Sequence, residues 1–381
     1  MANNNENKIL NVPHLRFPEF SGEWKKCIIQ DYGEVVTGNT PPTNNAEYYN
    51  NGSYLWASPA DLGINKNVTD TKTKLSLSGF KKTRNVPKGS VLVTCIGSTI
   101  GKMGMATETM SSNQQINSVV VNDKNNSDFV YYAICRAFPR YLSEVGVQAV
   151  PILSKSNFEK LPNYTTSRDE QNKIGYFLSL LDERIATQNK IIEDLKKLKS
   201  AISERLFNAI KGDVVVLEDI GDVVKGKQIN GEFLSESGKY YVMNGGIEPS
   251  GFYNDYNVEA NTISISEGGN SCGYVQFNAC PFWSGGHCYT IQNTTDNVKT
   301  EYLYQFLKSK ESEIMKLRIG SGLPNIQKKD LAKFKITIPN ISEQKVISAF
   351  LSSFERKADV EMNFVNLLLE EKQYLLRQMF I

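Results

Sequence analysis

The stretch Glu170-Gln-Asn-Lys-Ile-Gly-Tyr-Phe-Leu-Ser179 decides the architecture of this chain, because it returns 173 residues later as Glu343-Gln-Lys-Val-Ile-Ser-Ala-Phe-Leu-Ser352. The match continues without a gap, so that residues 150–207 superpose on residues 323–380. Repetition at a fixed offset is the mark of a duplicated structural unit. We therefore expect two similar units within one chain.

The upstream parts of the two halves also agree, although their spacing differs. Residues 31–38 resemble residues 219–226 at an offset of 188, and residues 91–101 resemble residues 263–273 at an offset of 172. The first half thus carries 16 extra residues between Gly38 and the second match. We expect two sites that share one frame and differ in the side chains that fill it.

Two long helices are predicted, over residues 167–212 and 340–381. Ser167-Arg-Asp-Glu170 has the form of a capping box, in which the serine and glutamate side chains each accept a backbone N–H of the first turn. Apolar residues then recur in alternating steps of four and three, which is the heptad spacing of a coiled coil. The seam residues are Ile174, Leu178, Leu181, Ile185, Ile192, Leu195 and Ile202 in the first helix, and Ile347, Leu351, Phe354, Val365, Leu368 and Leu375 in the second.

Polar residues interrupt both seams at matching places, Gln188 with Glu361 and Lys199 with Lys372. Such residues can fix the register of a coiled coil at a cost in stability. Alternatively, a flanking residue such as Leu198 covers the gap while the lysine extends to solvent. The predicted fold class is α+β: two similar globular domains joined by two long helices that form an antiparallel coiled coil, with a pseudo-twofold internal repeat.

Composition indicates an ordinary globular protein of 381 residues, long enough for two or three domains. No apolar run approaches the length that spans a bilayer, and the polar start lacks the apolar core of a signal peptide. We therefore expect a cytoplasmic protein with no membrane partner and a flexible tail over residues 1–11. Six cysteines form no CxxC pair, and there are two histidines, so neither a metal site nor a cofactor is expected in this chain.

Positive charge is concentrated in one part of the first half. Residues 62–105 hold eight basic residues and one acidic residue, Asp70. A stretch of this kind can follow a line of phosphates, although a solvated lysine-rich surface gives the same pattern. The second half has no equivalent run. The basic residues are Lys66, Lys72, Lys74, Lys81, Lys82, Arg84, Lys88 and Lys102.

Residues 91–96 and 262–266 alternate apolar and polar residues and predict two strands. Glycine-rich loops follow them at residues 97–102 and 267–273, and amide and aromatic side chains lie near these loops in sequence. Asparagine and glutamine can bond adenine edges, and lysine and arginine suit guanine or phosphate. The aromatic residues Tyr54, Trp56 and Trp283 are equally consistent with a core. The candidate DNA-binding residues are Lys81, Lys82, Arg84, Ser98, Thr99, Lys102, Asn113, Gln114, Lys225, Lys227, Asn244, Asn270 and His287.

Catalytic motifs are not found. Residues 221–228 nearly spell a phosphate-binding loop, but Gln228 stands where the magnesium-binding serine or threonine belongs. There is no GxGxxG element and no Asn-Pro-Pro-Tyr tetrapeptide. A nucleophilic dyad would depend on His287 beside Cys288, without an evident orienting group. We expect a chain with no catalytic activity of its own.

In this order, the residues resemble the specificity subunit of type I restriction–modification systems. The resemblance depends on the entry segment of residues 11–20, on the repeated stretch of residues 31–38, and on the two helices, which end in Arg205-Leu-Phe and Gln378-Met-Phe. It implies target-recognition domains at residues 12–166 and 213–339. Each domain would read one half of an interrupted target in double-stranded DNA.

The resemblance also implies partners. Two modification subunits would dock on the helices, bind S-adenosylmethionine and methylate adenine N6, and two restriction subunits would use ATP and Mg²⁺. The alternative from another class is a non-catalytic two-domain protein-interaction scaffold with a coiled-coil spacer. A truncated fusion of methyltransferase and nuclease is a third alternative, which the missing catalytic motifs disfavour.

Overall fold

The computed structural model describes residues 10–63, 65–145, 151–320, 322 and 324–381. Most of the expected N-terminal tail, residues 1–9, and the first pair of the long match, Val150 and Leu323, lie outside the described residues. The chain divides into two compact units. Unit 1 consists of Met1–Asn189 and Asn363–Ile381, and unit 2 consists of Lys190–Met362.

Unit 1 is built from short strands with a long helix on one side. Its strands are β1 (Lys25–Ile28), β2 (Gly33–Thr37), β3 (Tyr54–Ala57), β4 (Asn67–Val68), β5 (Thr73–Leu75), β6 (Asn85–Val86), β7 (Val91–Thr94), β8 (Met103–Ala106), β9 (Met110–Ser112), β10 (Ile116–Val121) and β11 (Pro162–Thr165). Its helices are α1 (Ile29–Tyr32), α2 (Leu77–Phe80), α3 (Ser127–Val145), α4 (Lys155–Glu159), the first half of α5 (Arg168–Ala209) and the second half of α9 (Ile341–Met379).

The strands of unit 1 form three sheets, with the orders β2-β10-β7-β8-β4, β5-β3-β9-β6 and β1-β11. Strand β7 lies between two apolar layers. Val91 and Val93 belong to the core cluster that contains Phe129 of α3, whereas Leu92 packs in the cluster that contains Leu55 of β3. The side chains of a strand alternate between its two faces. Because an apolar layer covers each face of β7, every residue of this strand is buried.

Unit 2 repeats the same plan with fewer strands. Its strands are β12 (Asp213–Val216), β13 (Asp222–Lys225), β14 (Tyr240–Met243), β15 (Phe252–Tyr253), β16 (Thr262–Ser266), β17 (Val275–Asn278), β18 (Trp283–Ser284), β19 (Cys288–Gln292) and β20 (Lys335–Ile338). Its helices are α6 (Thr300–Ser309), α7 (Glu311–Met315), α8 (Lys328–Ala332) and the first half of α9 (Ile341–Met379), besides the second half of α5.

The sheets of unit 2 have the orders β13-β19-β16-β17, β15-β14-β18 and β12-β20. Each corresponds to a sheet of unit 1 in strand order and direction. The extra residues of the first half account for the difference, because β4 and β6 both lie between Gly38 and Val91. Among the described residues of unit 2, neither strand has a counterpart.

The two long helices confirm the helical pattern in the sequence, with 42 residues in α5 and 39 in α9. The predicted seam residues are buried or half-buried along both helices. The helices run antiparallel in each unit. In unit 1, Asp182 pairs with Lys372 and Arg184 lies over the ring of Phe364. In unit 2, Lys199 pairs with Glu355.

One half of the capping box that was predicted at the start of α5 is confirmed. Ser167 Oγ accepts a hydrogen bond from Glu170 N at 3.4 Å, as expected. The Glu170 carboxylate, however, does not complete the box. It accepts hydrogen bonds from the Arg16 guanidinium, the Trp24 indole and the hydroxyl of Thr166 instead, since a charged, fork-shaped donor is a stronger partner than one backbone N–H.

Among the described residues, no helix is both long enough and apolar enough to cross a membrane.

Candidate nucleic-acid interface

The end of β2 in unit 1 is bonded to the turn that joins β9 and β10. Gly38 N donates to Ile116 O at 3.0 Å, and Asn39 N donates to Ser112 O at 2.9 Å. A Cβ atom on Gly38 would lie 2.2 Å from Asn113 O, so only glycine permits this approach. We call these bonded segments, residues 38–40 and 112–116, junction 1.

Unit 2 contains the same arrangement, which we call junction 2 and define as residues 226–228 and 284–288. Gly226 N donates to Cys288 O and Lys227 N donates to Ser284 O, each at 2.9 Å. A Cβ atom on Gly226 would lie 2.2 Å from Gly285 O. The shared frame that the repeat predicted therefore extends to individual backbone hydrogen bonds.

An indole closes each junction from a different strand. Trp56 Nε1 donates to Asn39 O at 3.1 Å, and Trp283 Nε1 donates to Lys227 O at 2.9 Å. Trp56 lies on β3, which pairs in parallel with β9. Trp283 lies on β18, the counterpart of β9, and pairs with β14. The two tryptophans thus lie on strands that are not counterparts, because β3 corresponds to β14 and β9 corresponds to β18. Their indoles nevertheless donate to equivalent carbonyls, those of Asn39 and Lys227.

The candidate residues Asn113 and Asn244 shape the turns of the junctions. Asn113 Oδ1 accepts a hydrogen bond from Gln115 N at 3.0 Å, and Asn244 Oδ1 accepts one from His287 N at 3.1 Å. Gln115 and His287 are equivalent positions of the repeat. Both asparagine oxygens are thus occupied. The exposed side chains at these turns are Gln114 in unit 1, whose Oε1 accepts a hydrogen bond from Thr40 Oγ1 at 2.5 Å, and His287 in unit 2.

The side chains beneath the junctions differ in charge between the two units. In unit 1, Thr37 Oγ1 lies 2.7 Å from Asn117 Oδ1, near a buried thiol, Cys95, whose pKa is raised to about 12 by burial. At the equivalent positions, unit 2 has Lys225, Tyr289 and Glu267.

Glu267 joins three polar side chains of unit 2. Its Oε1 accepts hydrogen bonds from Lys225 Nζ at 2.7 Å and from Tyr289 OH at 3.0 Å. Its Oε2 lies 3.8 Å from His287 Nδ1. Burial, and then the carboxylate of Glu267, raise the pKa of Tyr289, so this phenol remains a donor. Glu267 is not among the residues predicted from the sequence, although a glutamate at the position equivalent to Cys95 was an available signal.

The glycine-rich loops are anchored alike in both units. Gly97 N donates to Pro151 O at 3.0 Å, and Gly269 N donates to Pro324 O at 3.1 Å. Both glycines have positive φ, +93° and +75°. The prolines are partners in the long repeat, which therefore serves to fix these loops. The candidate residues carried by the loops are Ser98, Thr99 and Asn270.

Most of the basic candidates of unit 1 lie at junction 1. Arg84 N donates to Asn39 Oδ1 at 2.7 Å, and Arg84 also donates through its guanidinium to Thr37 O at 2.9 Å. Lys82 O accepts from Asn39 Nδ2 at 2.9 Å. Lys81 is exposed beside them. Lys102 lies elsewhere, with its side chain against Gly63.

Lys66, which the basic stretch of the first half included, is not available to phosphate. Its ammonium is buried and bonded to Asp128, and to Ser179 Oγ at 2.6 Å. In unit 2, Lys225 is paired with Glu267, while Lys227 is exposed at junction 2. The roles of all candidate residues in DNA binding stay predictions.

Comparison with known proteins gives a consistent family. The family model described as "Type I restriction modification DNA specificity domain" matches residues 21–197 and again residues 211–368. The MjaIX specificity subunit of Methanocaldococcus jannaschii is 27% identical over 367 residues, which covers 83% of each chain. The HindI specificity subunit of Haemophilus influenzae is 27% identical over 195 residues, covering 49% of this chain and 41% of the relative.

Solved structures show the same fold. The S subunit of a type I restriction–modification system from M. genitalium superposes with a TM-score of 0.65 at 20% identity, covering 97% of this chain and 99% of that one. A chain from a structural study of assembly in the type I R-M system gives a TM-score of 0.57 at 15% identity and covers 94% and 97%. The matches favour the DNA-specificity interpretation over the protein-scaffold alternative.

Proposed function

Because the chain belongs to the family of type I restriction–modification specificity subunits, we propose that its two units read the two halves of an interrupted target in double-stranded DNA. Proteins of this family supply recognition rather than catalysis. The observation that carries the proposal is the pair of junctions, which share backbone hydrogen bonds but differ in side chains. A shared backbone arrangement with different side chains suits a protein that recognises two different half-sites.

At each junction, the outward side chains suit base edges. Gln114 can donate to a base edge through its amide nitrogen, and it can bond an adenine edge through its paired donor and acceptor when its Oε1 exchanges Thr40 Oγ1 for the base. His287 can donate to or accept from a base edge. Lys81 and Lys82 are placed to neutralise phosphates next to junction 1. The two half-sites are therefore read by different chemistry, an amide in one and an imidazole with Lys227 in the other.

We further propose that the long helices dock the modification subunits, two per chain, and that two restriction subunits complete the assembly. Exposed apolar side chains on unit 1 support a docking role, since Tyr176, Leu180 and Leu367 are large, apolar and solvent-facing. The modification subunits would bind S-adenosylmethionine and methylate adenine N6 after extruding the base from the stack. The restriction subunits would use ATP and Mg²⁺, and the complex would act on DNA in the cytoplasm.

The test is to express the chain with its modification subunit and to map adenine methylation in host DNA by single-molecule sequencing. We expect methylation at one interrupted motif, which disappears when this chain is deleted. Replacing residues 12–166 by the same region of a relative should change one half of the motif and leave the other unchanged. An unchanged methylation pattern after deletion would overturn the proposal.

A further inference from the structure

An N-terminal segment of unit 1, residues 11–21, covers the start of α5, and we call this segment the arm. Arg16 binds the Glu170 carboxylate through two nitrogens, at 2.7 and 2.8 Å, and the Glu170 side chain is 1% exposed. The ring of Phe17 packs edge-on against Phe177 at a centroid distance of 5.8 Å. A buried ion pair and an aromatic contact therefore both hold the arm against α5.

The arm also contacts Lys173 of α5 and the end of α9. Lys173 pairs with Glu19 and lies over the ring of Phe17 at 4.8 Å. Leu15 N donates to Gln378 O of α9 at 2.9 Å. The arm therefore touches both long helices of unit 1.

Unit 2 has the equivalent surface but no equivalent of the arm. The repeat places Glu343, Val346 and Phe350 where unit 1 has Glu170, Lys173 and Phe177. In unit 2, α5 leads almost directly into β12, the counterpart of β1, so the chain has no room for a covering segment there. The arm that covers this surface in unit 1 therefore has no counterpart in the sequence of unit 2.

The uncovered surface of unit 2 is an apolar groove of about 390 Å³, which we call the open groove. Val346 is 67% exposed, and Glu343 is exposed, whereas Glu170 is buried. In the part of the chain that the structure describes, no salt bridge engages Glu343. The groove is lined by Leu206, Ala209, Ile210, Ser342, Glu343, Val346 and Ile347.

We propose that the open groove receives an extended segment of a partner subunit, in which a cationic residue is followed by apolar residues. The arm shows the chemistry that such a surface accepts, because Arg16 satisfies the glutamate and Phe17 covers the apolar positions. Val346 replaces the lysine that pairs with Glu19, so the occupant needs an apolar residue where the arm has a carboxylate. The proposal rests on the proposed function, which supplies the partner subunits.

A second copy of this chain is a poorer occupant. Its arm is already bound in its own unit 1, and transfer would leave the Glu170 carboxylate buried without Arg16. Tethering also gives the arm an effective concentration on the order of millimolar at its own site. The partner is therefore a different polypeptide.

The experiment uses the full chain and a fluorescent synthetic peptide of residues 12–20 that carries Glu19→Leu. Fluorescence anisotropy should show binding at a concentration below about 1 mM. Val346→Asp should weaken binding by about tenfold or more, because it places a charge in the apolar floor of the groove. Val360→Asp is the matched control, since Val360 is a 60% exposed valine on the same helix, and it should leave binding unchanged.

A charge reversal tests the ion pair directly. Glu343→Arg should abolish binding of the peptide, and a second peptide that also carries Arg16→Glu should restore it. Equal binding by the Val346→Asp and Val360→Asp chains would overturn the proposal. So would a concentration-dependent dimer of the chain that Val346→Asp abolishes, because the occupant would then be a second copy.

The same two variants connect the groove to the complex. Val346→Asp should reduce co-purification of the modification subunits by about tenfold, whereas Val360→Asp should not. Retention of wild-type chain on DNA is measured in parallel and reports the proposed function independently of the groove. Assembly that is unaffected by Val346→Asp would overturn the assignment of the partner.

Discussion

Lys199 Nζ of α5 lies 2.8 Å from Glu355 Oε1 of α9, and the repeat reproduces this pair with the helices exchanged. In unit 1, Lys372 Nζ of α9 lies 2.5 Å from Asp182 Oδ1 of α5. Leu198 is 50% exposed, so it does not cover the interruption of the seam. The seam lysines therefore fix the register of the two helices, because each lysine reaches its acidic partner when the helices are aligned in this way.

Removing one charge of such a pair should destabilise unit 1. Lys372→Met leaves the Asp182 carboxylate, which is mostly buried, with Tyr132 as its remaining partner. We expect a loss of about 1–3 kcal/mol in the free energy of unfolding by urea. Lys124→Met, at an exposed lysine of the same unit, is the control. The double variant Asp182→Asn/Lys372→Met should be more stable than Lys372→Met, and the reverse order would refute the pairing argument.

Glycine is required at the end of the loop that precedes β17. Gly273 has φ +91°, and a Cβ atom there would lie 2.8 Å from Met315 Cγ and 3.0 Å from Met315 Cα. Gly273→Ala should cost about 1–2 kcal/mol from backbone conformation alone. Gly231→Ala, whose Cβ atom meets nothing within 4 Å, should be nearly neutral. Thermal unfolding of both variants compares them, and equal melting temperatures would contradict the requirement.

Buried thiols should make the fold less stable at alkaline pH. Burial raises the pKa of Cys288 from 9.0 to about 11. Below pH 9 both folded and unfolded chains hold the proton, so the stability is fully present there. Between the two values only the folded chain holds it, so stability falls by up to about 1.4 kcal/mol per pH unit for this thiol.

Urea midpoints across this alkaline window measure the effect. Cys288→Ala should flatten the decline with pH, whatever its effect at neutral pH. Cys280→Ala, at an exposed cysteine, should leave the slope as in the wild type. An identical slope in the Cys288→Ala chain would exclude this thiol as the cause.

The lysines beside junction 1 should contribute affinity without sequence preference. Lys81→Ala and Lys82→Ala should each weaken DNA binding on all sequences and reduce the slope of log affinity against log salt by about 1. Lys124→Ala serves as the control, at an exposed lysine without a role at junction 1. A change in preferred sequence at unchanged salt slope would assign these lysines to base contacts instead.

The imidazole of His287 should affect one half-site. It is 65% exposed and its backbone is fixed by Asn244. His287→Ala should relax discrimination by about 1–3 kcal/mol at one base pair of the half-site read by unit 2. Methylation mapping of the complex measures this, and altered methylation in the other half-site would contradict the division of labour between the units.

Features that depend on local pattern could be predicted from the sequence. The heptad spacing gave the two helices, and the repeated strands at Val91 and Thr262 were placed correctly. Both strands are more buried than alternation suggests, because polar residues such as Thr94 and Ser264 lie inside the unit. Their burial follows from the layers on either side, which no local pattern encodes.

The chemistry of the site depended on contacts between distant segments. Asn244 is 43 residues from His287, and its role in the turn became visible when the fold brought them together. Lys66 resembled a surface lysine until Asp128, 62 residues away, gave it a buried partner. The role of Glu267 could not be predicted from its local sequence, because this role consists of its contacts with Lys225, Tyr289 and His287.

The indole that closes each junction has a spectroscopic consequence. The chain has three tryptophans, and Trp283 is the single one in the sequence of unit 2. Its ring nitrogen donates to the backbone of Lys227. In a chain in which Trp24 and Trp56 are replaced by phenylalanine, the tryptophan fluorescence would come from Trp283 at junction 2 alone. The protein thus carries a native optical probe at junction 2, where we propose that unit 2 contacts DNA.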